Sequence, residues 1–313
     1  MHHVTPLPTA QHPSLLGFGV RAGWSPNWLQ RMMGPSSTRG ALPVVHDAGR
    51  HLAGPGPFEL ACSMRRRWCA NTARMGRLLR LHRLLPPGRK ALIVAMDQPR
   101  AIHVAALADP GRVLNSLQSA DVDAYLLTQS TARHFENHLT GRAVVISVSQ
   151  DHQEPQQVVE QAVAFGASAL KYEVYPYSDL EVTTMRCLEA LAVHADRWNL
   201  PVMAEVVPGG FEQVAVHTAS NLRQSIRRAA EAGADLAKIP PPNEGTLAEV
   251  TEYASIPVLL LGGARRGGLD EVLERVRQLG PFVDGLVFGR NVVEDPEPAT
   301  VVASLRKVLD SLH

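Results

Sequence analysis

Residues 91–98 read Ala-Leu-Ile-Val-Ala-Met-Asp-Gln, six apolar residues without a break and then an acid and an amide. An unbroken apolar run of this length is what a strand buried on both faces requires. The same texture recurs down the chain, at Asp123–Leu127, Ala143–Val148, Ser168–Val174, Leu200–Val206, Ala234–Ile239, Ile256–Leu261 and Val283–Phe288. Successive starts lie about 20 to 34 residues apart, room for one helix and two short loops. Between runs the pattern turns amphipathic: in Ser220–Glu231, Leu222, Ile226 and Ala229 share a face, and Gly233 stops the helix before the next run. Eight strands alternating with helices predict an α/β fold, a (β/α)8 TIM barrel of parallel strands. An open doubly wound sheet is the competing architecture, weakened because no GxGxxG turn follows the first strand.

The 313-residue chain exceeds what one barrel needs, and the surplus lies at its start. Residues 1–90 hold 13 Arg and Lys against Asp47 and Glu59, a balance of +11, so the net +1 of the chain leaves −10 for the rest. Residues 1–74 carry three of the four tryptophans, no lysine and many Pro and Gly, with no sustained period. The expected division is an N-terminal extension at 1–74, disordered or outside the native barrel, and a barrel over 75–313. The cluster Arg65-Arg66-Arg67 also allows a basic arm or targeting peptide, though no apolar core of a signal sequence follows the start. Three cysteines, none in CxxC spacing, and no apolar run of 18 residues predict a cytoplasmic protein without disulfides or membrane spans. A net charge near zero gives no support to a nucleic-acid or membrane partner.

In a barrel of this kind the chemistry sits at the C-terminal ends of the strands. Those ends carry Asp97, Lys171, Glu205 and Lys238. The lysines are the sharpest feature. The chain has only four, Lys90, Lys171, Lys238 and Lys307, among 27 arginines, and two of the four lie inside apolar strand segments. Lysine, unlike arginine, can shed its proton when buried or beside another cation, and the neutral amine attacks ketones to form an iminium. Two lysines at one barrel mouth would supply the nucleophile and the neighbouring cation. The alternative is that each caps its strand in an ion pair, with Glu173 or Asp235 as partner. Glu205 and Asp97 are the candidate proton carriers. After the seventh and eighth runs, Gly262-Gly263 and Gly289-Arg290, with Arg265, match the place where barrels grip a substrate phosphate. His134 and His138, four apart on a predicted helix, read as a solvated face rather than a zinc site. Cys187 reads as core, and Tyr172, Tyr175 and Tyr177 chiefly as packing.

At these residues the chain resembles a family. Met96-Asp97-Gln98, Ala169-Leu170-Lys171, Ala204-Glu205-Val206, Ala237-Lys238, Leu261-Gly262-Gly263 and Gly289-Arg290-Asn291 look like the DhnA/LacD-type class I aldolases. Those include tagatose-bisphosphate, archaeal-type fructose-bisphosphate, sulfofructose-phosphate and deoxyribose-phosphate aldolase-like enzymes. The resemblance covers residues 75–313. It implies a TIM barrel, no metal and no cofactor, a phosphorylated sugar as substrate, and assembly of identical copies into a homo-oligomer. It also implies a Schiff-base lysine at Lys238, a second lysine at Lys171 and an acid/base glutamate at Glu205. The chain departs from the archaeal branch after the fifth run, where Val207-Pro208-Gly209-Gly210 replaces a Tyr-Pro-Arg-Gly and so removes a phenol. The expected activity is that of a class I aldolase cleaving or forming a carbon–carbon bond in a phosphorylated ketose or deoxy sugar. Two alternatives stand beside it: a non-catalytic sugar-phosphate-sensing barrel, and an iminium-dependent synthase of secondary metabolism.

Overall fold

The computed structural model describes residues 75–98, 102–150, 154–265 and 267–312. The expected extension at 1–74, with Trp24, Trp28, Trp68, Cys62, Cys69 and the arginine cluster, lies outside the described residues, as do Pro99 and Arg266. Eight parallel strands close on themselves: β1 Ala91–Ala95, β2 Ala124–Thr128, β3 Ala143–Ser147, β4 Ala169–Val174, β5 Val202–Val206, β6 Leu236–Ile239, β7 Val258–Leu261 and β8 Gly285–Phe288. The ring closes between β8 and β1, with Leu92 opposite Leu286. Closure removes the edges that an open sheet would leave unpaired, so the doubly wound alternative is excluded.

Helices cross between strands: α1 Met75–Leu84 before the barrel, then α2 Pro110–Ser116, α3 Gln129–His134, α4 Pro155–Phe165, α5 Glu181–Arg197, α6 Ala219–Glu231, α7 Leu247–Thr251, α8 Leu269–Leu279, α9 Arg290–Val293 and α10 Pro298–Asp310. The α6 boundaries follow from local chemistry. The Thr218 hydroxyl accepts the Asn221 N–H at its start, and Gly233, at φ 98°, turns the chain beyond its end. Among the described residues no helix is long and apolar enough to cross a membrane.

Successive side chains on a strand face opposite ways, so each strand serves two cores. Leu92, Val94, Leu127, Leu170, Ala204, Leu260 and Leu286 pack outward under the helices. Ile93, Ala124, Val145, Ala169, Met203, Leu236, Leu259 and Val287 fill the interior, joined from below by Leu81 and Leu84 of α1. The first helix therefore plugs the N-terminal end of the barrel.

Six of the eight regular strands start one or two residues later than the apolar runs suggested, and for three of them an aspartate is the reason. Asp123, Asp235 and Asp284 stand just before β2, β6 and β8. Each turns its carboxylate sideways to accept a backbone N–H of a neighbouring strand, Leu92 at 2.7 Å, Val202 at 2.9 Å and Val258 at 2.8 Å. Arginines cover two of these carboxylates from below. Arg77 of α1 binds Asp235 at 3.0 Å, and buried Arg306 of α10 binds Asp123 at 2.6 Å and the Lys90 carbonyl at 2.8 Å.

Candidate active site

The interior stack turns from apolar to charged at its top. Two residues beyond Ala95 comes Asp97, beyond Val145 Ser147, beyond Ala169 Lys171 and then Glu173, beyond Met203 Glu205, and beyond Leu236 Lys238. The period of two therefore projects six polar side chains into one mouth. Backbone register aligns them: Ser147 pairs with Lys171, Glu173 with Glu205, and Glu205 with Lys238.

Glu205 stands between the lysines. Its Oε1 is 2.7 Å from Lys238 Nζ and its Oε2 2.5 Å from Lys171 Nζ. Lys171 also donates to Asp97 Oδ2 at 3.1 Å and to Glu173. Side-chain exposures of 1% for Lys171, 4% for Glu205 and 7% for Lys238 put this charge almost wholly out of water. Burial opposes the charge on Lys171, but Asp97, Glu205 and Glu173 outweigh it and hold the ammonium well above its ordinary pKa. Burial likewise raises the Asp97 carboxyl, yet Lys171, Lys238 and a hydrogen bond from Ser147 bring it down to about 2. Oxygens of Asp97, Glu173 and Glu205 lie within 4.8 Å of one another, and the Lys171 ammonium bonds to all three carboxylates.

The four residues expected from strand ends, Asp97, Lys171, Glu205 and Lys238, are thus brought together. The expected tuning of Lys238 by its neighbouring cation takes a different form: Lys171 reaches Lys238 through the Glu205 carboxylate. The suggested Lys171–Glu173 pair is also present, inside the same network. The suggested pairing of Asp235 with a lysine is overturned. Asp235 lies three residues before Lys238, about 10 Å along a strand, and faces Arg77 at the opposite end of the barrel.

Three further residues take part: Ser147 and Gln150 were not singled out in the sequence, and Tyr175, read chiefly as packing, hydrogen-bonds to the network. Ser147 bonds to Asp97, the Tyr175 hydroxyl donates to Glu173 Oε2 at 2.5 Å, and Gln150 accepts from the Tyr172 hydroxyl at 3.0 Å while donating to the Glu173 carbonyl. Ser147 and Glu173 share the inward parity of the apolar residues before them, and that parity was the available signal.

Beside this network, β7 and β8 are each followed directly by glycine. A side chain at Gly262 would strike Asn291 and the Phe288 ring at 2.7 and 2.9 Å, so the loop can lie this close only without a Cβ. Gly263 is exposed with φ 68°, and Gly289 lies against Gln98. Arg290, half-buried, has no carboxylate partner among the described residues. Arg265 instead donates to Asp295 at 2.8 Å, so its charge is already matched. His134 ends α3, whereas His138 lies in a separate 3-10 turn, so they do not share the continuous helix expected; Phe135 sits edge-on between their rings. Cys187 packs partly buried against the outer core, in agreement with its reading. An open recess of about 620 Å³ lined by Arg133, Glu136, Arg142 and Phe165 contains none of the network residues.

A closed barrel with two lysines sharing one carboxylate at its mouth defines the type of protein, and sequence comparison agrees. Residues 91–295 match the model of the DeoC/LacD family aldolases, and the chain belongs to that family, a family of lyases of the class I aldolase type. Among its relatives, a 2-amino-4,5-dihydroxy-6-oxo-7-(phosphonooxy)heptanoate synthase of Streptomyces griseus is 28% identical over 77% of this chain and 90% of its own length. The class 1 fructose-bisphosphate aldolase of Thermoproteus tenax is 28% identical over 63% of this chain and 76% of its own. A solved Schiff-base-forming fructose-1,6-bisphosphate aldolase shares the fold, with a TM-score of 0.64 at 23% identity over 74% of this chain and 98% of that one.

Proposed function

We propose that this chain is an aldolase of phosphorylated ketoses or deoxy sugars in which Lys238 forms the iminium and Glu205 and Asp97 move protons. The observation that carries the reading is the arrangement Lys238–Glu205–Lys171, a nucleophile and a firmly cationic lysine on opposite oxygens of one buried carboxylate. Lys238 passes a proton to Glu205 Oε1, 2.7 Å away, and attacks the carbonyl carbon of the substrate. The former carbonyl oxygen takes up protons and leaves as water, giving the iminium. A base, Glu205 or Asp97, removes the proton of the hydroxyl two carbons away. The carbon–carbon bond breaks, an aldehyde departs, and the electron pair remains as an enamine. Protonation of that carbon and addition of water release the remaining shorter carbonyl fragment and free Lys238, and synthesis runs the same steps backwards. The open Gly262-Gly263 turn, Gly289 and Arg290 are the proposed phosphate grip, and Arg265, paired with Asp295, shapes the loop beside it.

The test is cleavage of fructose 1,6-bisphosphate and deoxyribose 5-phosphate, with Lys238→Met as control. Turnover that vanishes in the variant supports the reading; ligand-induced thermal stabilisation with no turnover in the native chain would support the sensor instead. A second reading, bond formation by the same iminium in secondary metabolism, is favoured by the match along 90% of the Streptomyces griseus synthase. Product analysis with dihydroxyacetone phosphate and an amino-aldehyde acceptor separates the two. A cytoplasmic homo-oligomer completes the proposal, and light scattering tests its assembly.

A further inference from the structure

Three carboxylates, Asp97, Glu173 and Glu205, face two lysines in the mouth, leaving one negative charge in excess even with both amines protonated. Lys171 has three N–H donors and a carboxylate for each. Asp97 and Glu205 alone would balance the two lysines. Glu173 is nevertheless placed beside Glu205 in the register of β4 and β5, a like-charge neighbour that a merely structural pairing of Lys171 does not need. Glu173 is also held from its other side. Its Oε2 accepts the Tyr175 hydroxyl at 2.5 Å, and the Tyr175 ring is braced edge-on by Phe211, with centroids 6.5 Å apart. At 27% exposure its side chain is the outermost carboxylate of the network.

Resting on the Schiff-base reading, we propose that Glu173 is a positioning residue whose charge, relayed through Lys171 and Glu205, favours the cationic iminium on Lys238. When Lys238 is a neutral amine the network carries two excess negative charges; conversion to the iminium, which releases water, returns it to one. Removing the Glu173 charge therefore weakens the cationic forms of Lys238 relative to the neutral ones. The groups facing Glu173 are Lys171 and Tyr175 from β4 and its loop, Glu205 on β5, Lys238 on β6 and Asp97 after β1. Tyr172, outward on β4, bonds to Gln150.

The test is the yield of borohydride-trapped dihydroxyacetone phosphate adduct as a function of pH, in the full chain and three variants. Glu173→Gln is expected to move the whole profile toward acid by about one pH unit, tenfold on its flank, the size of effect one unit charge several Å away produces. Glu173→Asp keeps the charge and should stay near the native position. Tyr175→Phe removes the hydrogen bond that spreads that charge and should shift the profile slightly the other way, which keeps a test available if Glu173→Gln does not fold. Profiles that change in height but not in position would overturn the proposal and leave the Schiff base standing. No adduct in the native chain at any pH would overturn both.

Discussion

Lys171 is held by three carboxylates, and Asp97 by Lys171 and Ser147 with the charge of Lys238 nearby, and these interactions have consequences in pH. The Asp97 carboxyl lies at about 2 in the fold against an ordinary 3.8, a gap worth about 2 kcal/mol. Because its value is depressed, that stability is present above about pH 4 and is lost as the pH falls through 2. Lys171 works in the opposite sense: its value is raised, so its contribution persists at every pH below the ordinary lysine value and disappears only in strong alkali. Asp97→Asn should therefore cost about 2 kcal/mol in urea denaturation at pH 7, with the difference closing at pH 2. A constant difference across that range would show that shape, not charge, is what Asp97 contributes. Asp97, Lys171, Glu205 and Lys238 were legible in the sequence because a charge at the end of an apolar run is conspicuous. Glu173 was legible only as a possible partner of a strand lysine, and Ser147 not at all, since nothing local distinguishes an inward serine from a solvated one.

At the scale of elements, the strands announce themselves as apolar runs because both faces are buried. Their true starts were hidden because an aspartate bonding sideways to the next strand looks, in one dimension, like the first strand residue. Those aspartates and their arginines hold the lower rim. Arg306 is the clearest case, bridging α10 to the Lys90 carbonyl and to Asp123. Arg306→Met should destabilise the fold by about 3 kcal/mol, since it leaves the buried Asp123 carboxylate with less compensation. Thermal and urea unfolding check this, and a loss below about 1 kcal/mol would mean that Arg89, the other arginine on Asp123, suffices. The two turns proposed to grip phosphate drew notice in the sequence through their glycines alone. The Arg265–Asp295 pair was not, because it joins loops that only the closed barrel brings together.

The barrel has two unlike ends, a lower rim of structural ion pairs plugged by α1 and an upper rim whose charges are proposed to serve chemistry. All proposed site residues lie at or beyond Asp97, and Leu81 and Leu84 are buried under the barrel. A chain beginning at Met75 should keep its melting temperature and its rate. One beginning at Leu85 should melt well below it, because the lower ends of the interior stack would meet water. Equal melting of these two shortened chains would refute the role given to α1. The period of two along eight strands made this layout readable in outline. Everything functional rests on Lys238 acting as the nucleophile. Borohydride reduction with dihydroxyacetone phosphate, followed by peptide mass mapping, tests that directly. One adduct, on Lys238, and none in Lys238→Met is the expected result; an adduct on Lys171, or none on either lysine, would contradict it.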